Sequence, residues 1–179
     1  MEGVVRLKHI GSYKKVNYYS VCLDNDELPV DSIKSLFELF IEENQNQNKD
    51  KLNHILVWLS EIGNKYGANE RFFRPEESYG EAKGLPPKNK FQPVYTEDGE
   101  SLPNNLRLYC HVLNESVVIL FSGGIKTQDQ AQQCPNVKNH FLLANKLTRI
   151  IDNAIKERDI IWVKENQDID YSEDLIIYY

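Results

Sequence analysis

Cysteine is scarce in this chain, three in 179 residues, and Cys22, Cys110 and Cys134 stand at spacings that match no zinc motif. An odd number, with two of them inside apolar strand-like runs, reads as free buried thiols rather than a disulfide framework. The histidines His9, His54, His111 and His140 also fall outside metal-ligand spacing, so no metal or cofactor is expected. No apolar stretch approaches the roughly 18 residues that span a bilayer, and the N-terminus carries no apolar signal segment, which predicts a cytoplasmic protein. Positive charge is in deficit: 21 Lys and Arg against 27 Asp and Glu give a net charge of −6, which argues against a broad basic DNA-binding face. A nucleotide-binding glycine loop is missing too. Ser122-Gly123-Gly124-Ile125-Lys126-Thr127 lacks the Gly-x-x-x-x-Gly-Lys-Ser/Thr spacing.

What is present suits one folded unit. A hydrophobic content of 41% over this length is enough to bury a core. The charge deficit is uneven. From Glu157 onward seven acids face only Arg158 and Lys164, which leaves residues 1–156 close to neutral and open to a local phosphate or nucleic-acid site. The natural division is a domain over residues 1–158 and an acidic extension over 159–179. The extension reads either as a solvated tail or as a strap whose carboxylates, Glu165 to Asp174 with Tyr171 nearby, fold over a basic rim.

Periodicity sets the elements. Val4 to Ile10 and Tyr18 to Leu23 are strand-like, joined by a polar turn. Pro29 starts a predicted helix with Asp31 or Ser32 as cap, and Ile33, Leu36, Phe37, Phe40 and Ile41 repeat at helical spacing. A second stripe, Leu52, Ile55, Leu56, Leu59 and Ile62, closes near Gly63 or Gly67. Between Gly67 and Pro93 regularity fades, with a strand expected at Phe91 to Tyr95, and the cluster Arg71-Phe72-Phe73-Arg74 stands out as either core anchoring or a basic site. Val137, Phe141, Ala144, Leu147, Ile151 and Ile155 mark one face of a long helix reaching about Glu157. Ile160 to Val163 and Leu175 to Tyr179 are β-prone. This order belongs to the α+β class: a small antiparallel sheet packed against two N-terminal helices and one C-terminal helix.

Residues 106–127 are the most informative segment. Two β-type runs flank Asn114-Glu115-Ser116, and the second ends at Gly123-Gly124 with Lys126 just beyond. Alternation puts Leu106, Leu108, Cys110 and Val112 on one face and Arg107, Tyr109 and His111 on the other. An arginine, a phenol and an imidazole on one face suit an anionic substrate. The glycine pair reads as a phosphate-approaching backbone or, more plainly, as a bulge.

From Gly67 to about Ala154 the chain resembles the RelE/HigB-like toxin superfamily of bacterial toxin–antitoxin systems, in its phage-derived branch. The likeness is carried by Gly67, Arg71 to Arg74, Leu85, Leu106-Arg107-Leu108-Tyr109, Ile119-Leu120-Phe121, Gly123-Gly124, Lys126-Thr127, Pro135 and Ala144. It implies a RelE-like fold, a helix-turn-helix antitoxin as cognate partner, and, for ribosome-dependent members, metal-independent cleavage of mRNA on the ribosome. Cleavage requires activation of a ribose 2′-hydroxyl, stabilisation of a pentavalent phosphate and protonation of a leaving oxygen. On this resemblance the phosphate contacts fall to Arg107 and Lys126, with Arg71 and Arg74 supporting and Tyr109 or His111 as acid, base or stacking group. Two departures stand out: a single Lys126 where relatives often carry a lysine pair, and acidic overall charge where RNA-cutting toxins are basic. The other readings are a non-catalytic inhibitor of the same fold, of the gyrase-poisoning kind, and a regulatory α+β interaction domain.

Overall fold

The computed structural model describes residues 3–23, 28–76, 81–88, 94–97 and 99–179. The N-terminal strands are β1 (Val4–Ser12) and β2 (Asn17–Leu23), an antiparallel pair with a bulge between His9 and Gly11. The first predicted helix begins later than Pro29. Residues Val30–Ser32 make a single 3-10 turn, and α1 (Leu36–Asn44) starts at Ser35. Ser35 and Glu38 form a reciprocal capping box that satisfies two free helix-start amides, which Asp31 and Ser32 are too far upstream to reach. The second helix, α2 (Lys49–Glu61), runs into a π turn, Ile62–Tyr66, that stops at Gly67 with φ of 76°.

The segment expected to be irregular contributes two short strands, β3 (Arg74–Pro75) and β4 (Lys83–Leu85). A small hairpin follows, β5 (Val94–Glu97) with β6 (Glu100–Pro103). The strand expected at Phe91 to Tyr95 lies partly outside the described residues. Strands β7 (Leu106–Asn114) and β8 (Val117–Ile125) form the predicted hairpin, its turn fixed by Asn114 Oδ1 accepting from the amides of Ser116 and Val117. The long helix α3 spans Lys138–Glu157. Beyond it come the hairpin β9 (Ile160–Val163) with β10 (Asp168–Tyr171), and β11 (Ile177–Tyr178).

The class is α+β, but the sheet is neither small nor wholly antiparallel. Its described strands run β11-β1-β2-β8-β7-β4-β3, seven in all, and β2 lies parallel to β8. Periodicity reports which faces are buried and carries no record of which strand neighbours which, so this pairing was not legible.

Both faces are covered. On one, α1 and α2 pack Phe37, Phe40, Ile55 and Ile62 against Tyr18, Leu106, Leu108, Cys110, Val118 and Leu120. On the other, α3 packs Phe141, Ala144, Leu147 and Ile151 against Tyr19, Tyr109, Ile119 and Phe121. The run Val117 to Phe121 is accordingly buried at every position, as a strand covered on both sides requires. All three cysteines are free and buried. No helix among the described residues is long and apolar enough to cross a membrane.

The extension after residue 158 shares this core. Ile160 and Ile169 are buried in the α3 layer, and β11 pairs with Val4 and Val5 at the edge of the sheet opposite β3. Tyr171 lies against the Tyr19 ring at 6.1 Å, and Asp168 Oδ1 accepts from the Tyr19 hydroxyl at 2.7 Å. The strap over a basic rim is therefore not what forms: these side chains are held by the β2 side of the sheet.

Gly123 serves the bulge. It pairs with Leu108 where the β7 register shifts before Cys110, and a Cβ there would fall on the carbonyl oxygen of Arg107. Replacing Gly123 by Ala is expected to cost at least about 2 kcal/mol through overpacking, measured as a lowered urea midpoint with an unchanged slope.

Candidate functional site

At the end of the sheet where β3, β6, the start of β7 and the end of β8 meet, two adjoining hollows open. The larger, about 660 Å³, is lined by Arg74, Lys88, Leu102, Pro103, Asn104, Asn105, Arg107, Lys126, Thr127, Gln128 and Asp129. The smaller, about 300 Å³, shares Arg74, Lys88, Lys126 and Asp129 and adds Arg71, Phe73, Pro75 and Glu76. Five cationic side chains against two carboxylates line the pair, on a chain whose net charge is −6. The positive charge that composition could not display is concentrated here.

Glu76 holds the arrangement together. Its side chain has 0% exposure, with Oε1 at 3.3 Å from Arg107 Nε and Oε2 paired with Lys126 Nζ. Gly84, opposite Arg74 in the β3–β4 pair, leaves the room: a Cβ there would come within 2.8 Å of Glu76 Oε1. Arg107 also donates from Nη1 to the carbonyls of Asn104 at 2.7 Å and Leu106 at 3.2 Å. Burial lowers the Arg107 pKa, opposed by the neighbouring Glu76 charge. Arg74 donates to the Pro86 carbonyl at 2.8 Å, and burial, with the Arg107 charge beside it, brings its pKa down to about 10. The guanidinium groups remain charged at neutral pH.

The segment bearing Lys126 is pinned from two sides. Its amide donates to the Asn105 carbonyl at 2.8 Å, and the Thr127 amide donates to Cys134 Sγ at 3.3 Å. Burial raises the Cys134 pKa, but donors from Thr127, Asn136 and Gln128 outweigh it and bring the thiol to about 7. On the other wall, Asn104 Nδ2 donates to the Lys51 carbonyl at 3.0 Å and its Oδ1 accepts from Leu106 N at 2.9 Å. That amide therefore turns its NH₂ to His54 Nδ1, 3.1 Å away, while Trp58 Nε1 donates to His54 Nε2 at 3.1 Å. The indole N–H can only donate, so His54 Nε2 accepts that bond, and burial lowers the imidazole pKa.

The residues singled out from sequence divide between this site and others. Arg71, Arg74, Arg107 and Lys126 gather at it, with Arg71 exposed and stacked over the Phe72 ring at 4.8 Å. Phe73 is core, and Phe72 packs on Tyr66 at 4.7 Å. Tyr109 and His111 do share a face with Arg107, but α3 covers that face. Tyr109 has 0% exposure and packs on Phe141 at 5.4 Å. His111 pairs with Asp152 at 2.7 Å and lines a separate hollow with Glu70, Glu81 and Lys83. Sequence reading missed Glu76, Lys88, Asn104 and Asn105. Glu76 stands in no motif and gains its place only through the β3–β4 pairing.

No family model, curated protein or solved structure matches the chain.

Two outcomes follow. Glu76→Gln leaves two buried cations without their counter-charge and is expected to lower stability by about 3–5 kcal/mol, read by urea denaturation. His54 titrates near 6.5 when unfolded and lower when folded. Its contribution is then complete above the unfolded value and is lost as pH falls through it toward the folded value. The urea midpoint should drop on acidification through that window, and less so in His54→Gln.

Proposed function

We propose that the basic hollow binds the phosphate backbone of RNA and that the chain acts as a RelE/HigB-like toxin on translation. The observation that carries the binding reading is the meeting of Arg74, Arg107, Lys126, Lys88 and Arg71, from four separate stretches of sequence, around shared space at one end of the sheet. Planar guanidinium groups give paired donors to phosphate oxygens, and a lysine adds a point charge. The resemblance supplies RNA as the carrier of that phosphate and a helix-turn-helix antitoxin as the partner that neutralises it.

In this reading Arg107 and Lys126 stabilise charge on the phosphate from a pre-organised, largely buried position, which is the larger part of phosphoryl-transfer catalysis. Arg74 supports them, and Arg71 and Lys88 contact flanking phosphates. Tyr109 couples electrostatically with Arg74 and Arg107 but is 0% exposed, so this reading assigns it no contact with RNA.

The exposed cations make the cleanest test, because Arg107 and Lys126 also balance a buried carboxylate. Arg71→Ala with Lys88→Ala is expected to keep the fold and weaken binding of a short single-stranded RNA. The log–log salt slope should flatten by about 1.4 for two lost phosphate contacts, measured by fluorescence anisotropy. Induced expression should arrest growth, the same pair should relieve it, and translating extracts should show cut mRNA if the hollow also cleaves. Unchanged affinity and slope in the double variant would overturn the site; absence of growth arrest would overturn the toxin.

A further inference from the structure

A second hollow with basic walls opens at the other end of the sheet. It measures about 340 Å³, and three exposed lysines, Lys14, Lys15 and Lys164, line it against one carboxylate, Glu115. Two tyrosine rings complete the wall, and both are backed by protein. Tyr13 lies against Gly63, where a Cβ would come within 2.7 Å of the ring, and meets Tyr18 edge to face at 5.3 Å. Tyr66 stacks on Phe72 at 4.7 Å. The rings still keep 41% and 46% of their residues' surface open, so each has room for a flat group. Gly63 and Tyr66 share the π turn after α2, and the Lys15 amide ties the β1–β2 turn to it through the Gly63 carbonyl at 2.7 Å. Lys164 is delivered by a strained turn. Lys164, Glu165 and Asn166 have φ of 51°, 55° and 65°, left-handed values that residues with side chains rarely adopt. Asn17 Nδ2 donates to the Gln167 carbonyl at 3.0 Å and Asn114 Nδ2 to that of Asn166 at 2.7 Å, which holds the turn against the sheet. Backbone strain that its surroundings hold in place clusters at ligand sites.

The two ends of the sheet are linked over the surface. Arg71 lines the smaller hollow beside Glu76 and lies 4.8 Å from the centre of the Phe72 ring; Phe72 stacks on Tyr66, which lines the far hollow. Strand β7 runs from Arg107 at one end to Asn114 beside the other, so the two lie on the order of 25 Å apart. A ligand that uses both is long, carries negative charge at intervals and has flat groups between its charges. A single nucleic-acid strand has that form, and stacking needs no particular base edge. A duplex keeps its bases inside. We propose that the Tyr13–Tyr66 hollow is a second contact region for one RNA strand, which runs from the phosphate hollow past Arg71 and Phe72, stacks bases on Tyr66 and Tyr13, and gives phosphates to Lys14, Lys15 and Lys164. This rests on the reading of the first hollow as an RNA phosphate site.

The test is fluorescence anisotropy of the full chain with labelled oligouridylates, a trimer too short to join the two ends and a dodecamer long enough to do so. Tyr13→Ala with Tyr66→Ala is expected to weaken the dodecamer about tenfold or more and to leave the trimer unchanged. Tyr13→Phe with Tyr66→Phe keeps the ring faces and should keep the affinity. Lys14→Ala with Lys15→Ala changes only exposed side chains, so it serves even if the alanine pair at the tyrosines fails to fold. It should flatten the log–log salt slope of the dodecamer by about 1.4 and leave that of the trimer as it was. If the trimer weakens in Arg71→Ala with Lys88→Ala while the dodecamer is indifferent to the tyrosine and lysine pairs, the second region is overturned and the phosphate site stands. Failure of both RNAs to bind the wild-type chain overturns the phosphate reading and the second region with it.

Discussion

A single carboxylate sits where the rest of the site converges. Glu76, sealed from water, lies between Arg107 on β7 and Lys126 after β8, so three segments distant in sequence are tied by one charge. Without it, two cations facing each other in a low-dielectric pocket would repel, and burying either alone would cost several kcal/mol. With it, their charges stay assembled at the rim of the sheet. The carboxylate also occupies coordination that a ligand would otherwise use, so an incoming phosphate meets cations already half-satisfied. On the proposed reading, an anion would use the faces that Glu76 leaves, together with Arg74 and the exposed Lys88.

The supports of that arrangement are themselves polar and largely hidden. The Asn104 carbonyl takes Arg107, while its side chain links Lys51, His54 and the start of β7. Asn145 on α3 accepts the Ala82 amide and so anchors the approach to β4 from the opposite face. A hollow supported from both helical layers keeps its shape before any ligand arrives, and a pre-organised site spends less of its binding energy on ordering side chains.

Much of the architecture was legible. The β7–β8 hairpin, its alternation, the α3 stripe and the N-terminal strand pair all follow from period and turn chemistry. Ser35 and Glu38 spell a capping box that the proline at 29 obscured, since proline signals where a helix is allowed to start and not where its amides are satisfied. Alternation correctly separated Arg107, Tyr109 and His111 from the apolar face, yet it says nothing of what lies above a face. Phe141 fills that space, and a tyrosine that looked available is core. The cations were readable as residue types; their counter-charge was not, because Glu76 reaches them only through two strands of two and three residues.

The parallel contact of β2 with β8 carries a consequence of timing. Ser20 pairs with Leu120 across most of the domain, so both strands of the first hairpin are synthesised well before β8, the permanent neighbour of β2. Until residues near 120 emerge, one flank of that hairpin offers open amides and carbonyls to whatever is nearby. Closing so long a loop is entropically dear and high in contact order, which places assembly among the slower routes for a domain of this size. A chaperone that shields the waiting edge, or a pause in synthesis once the second partner is out, would govern how much of the protein reaches its native form.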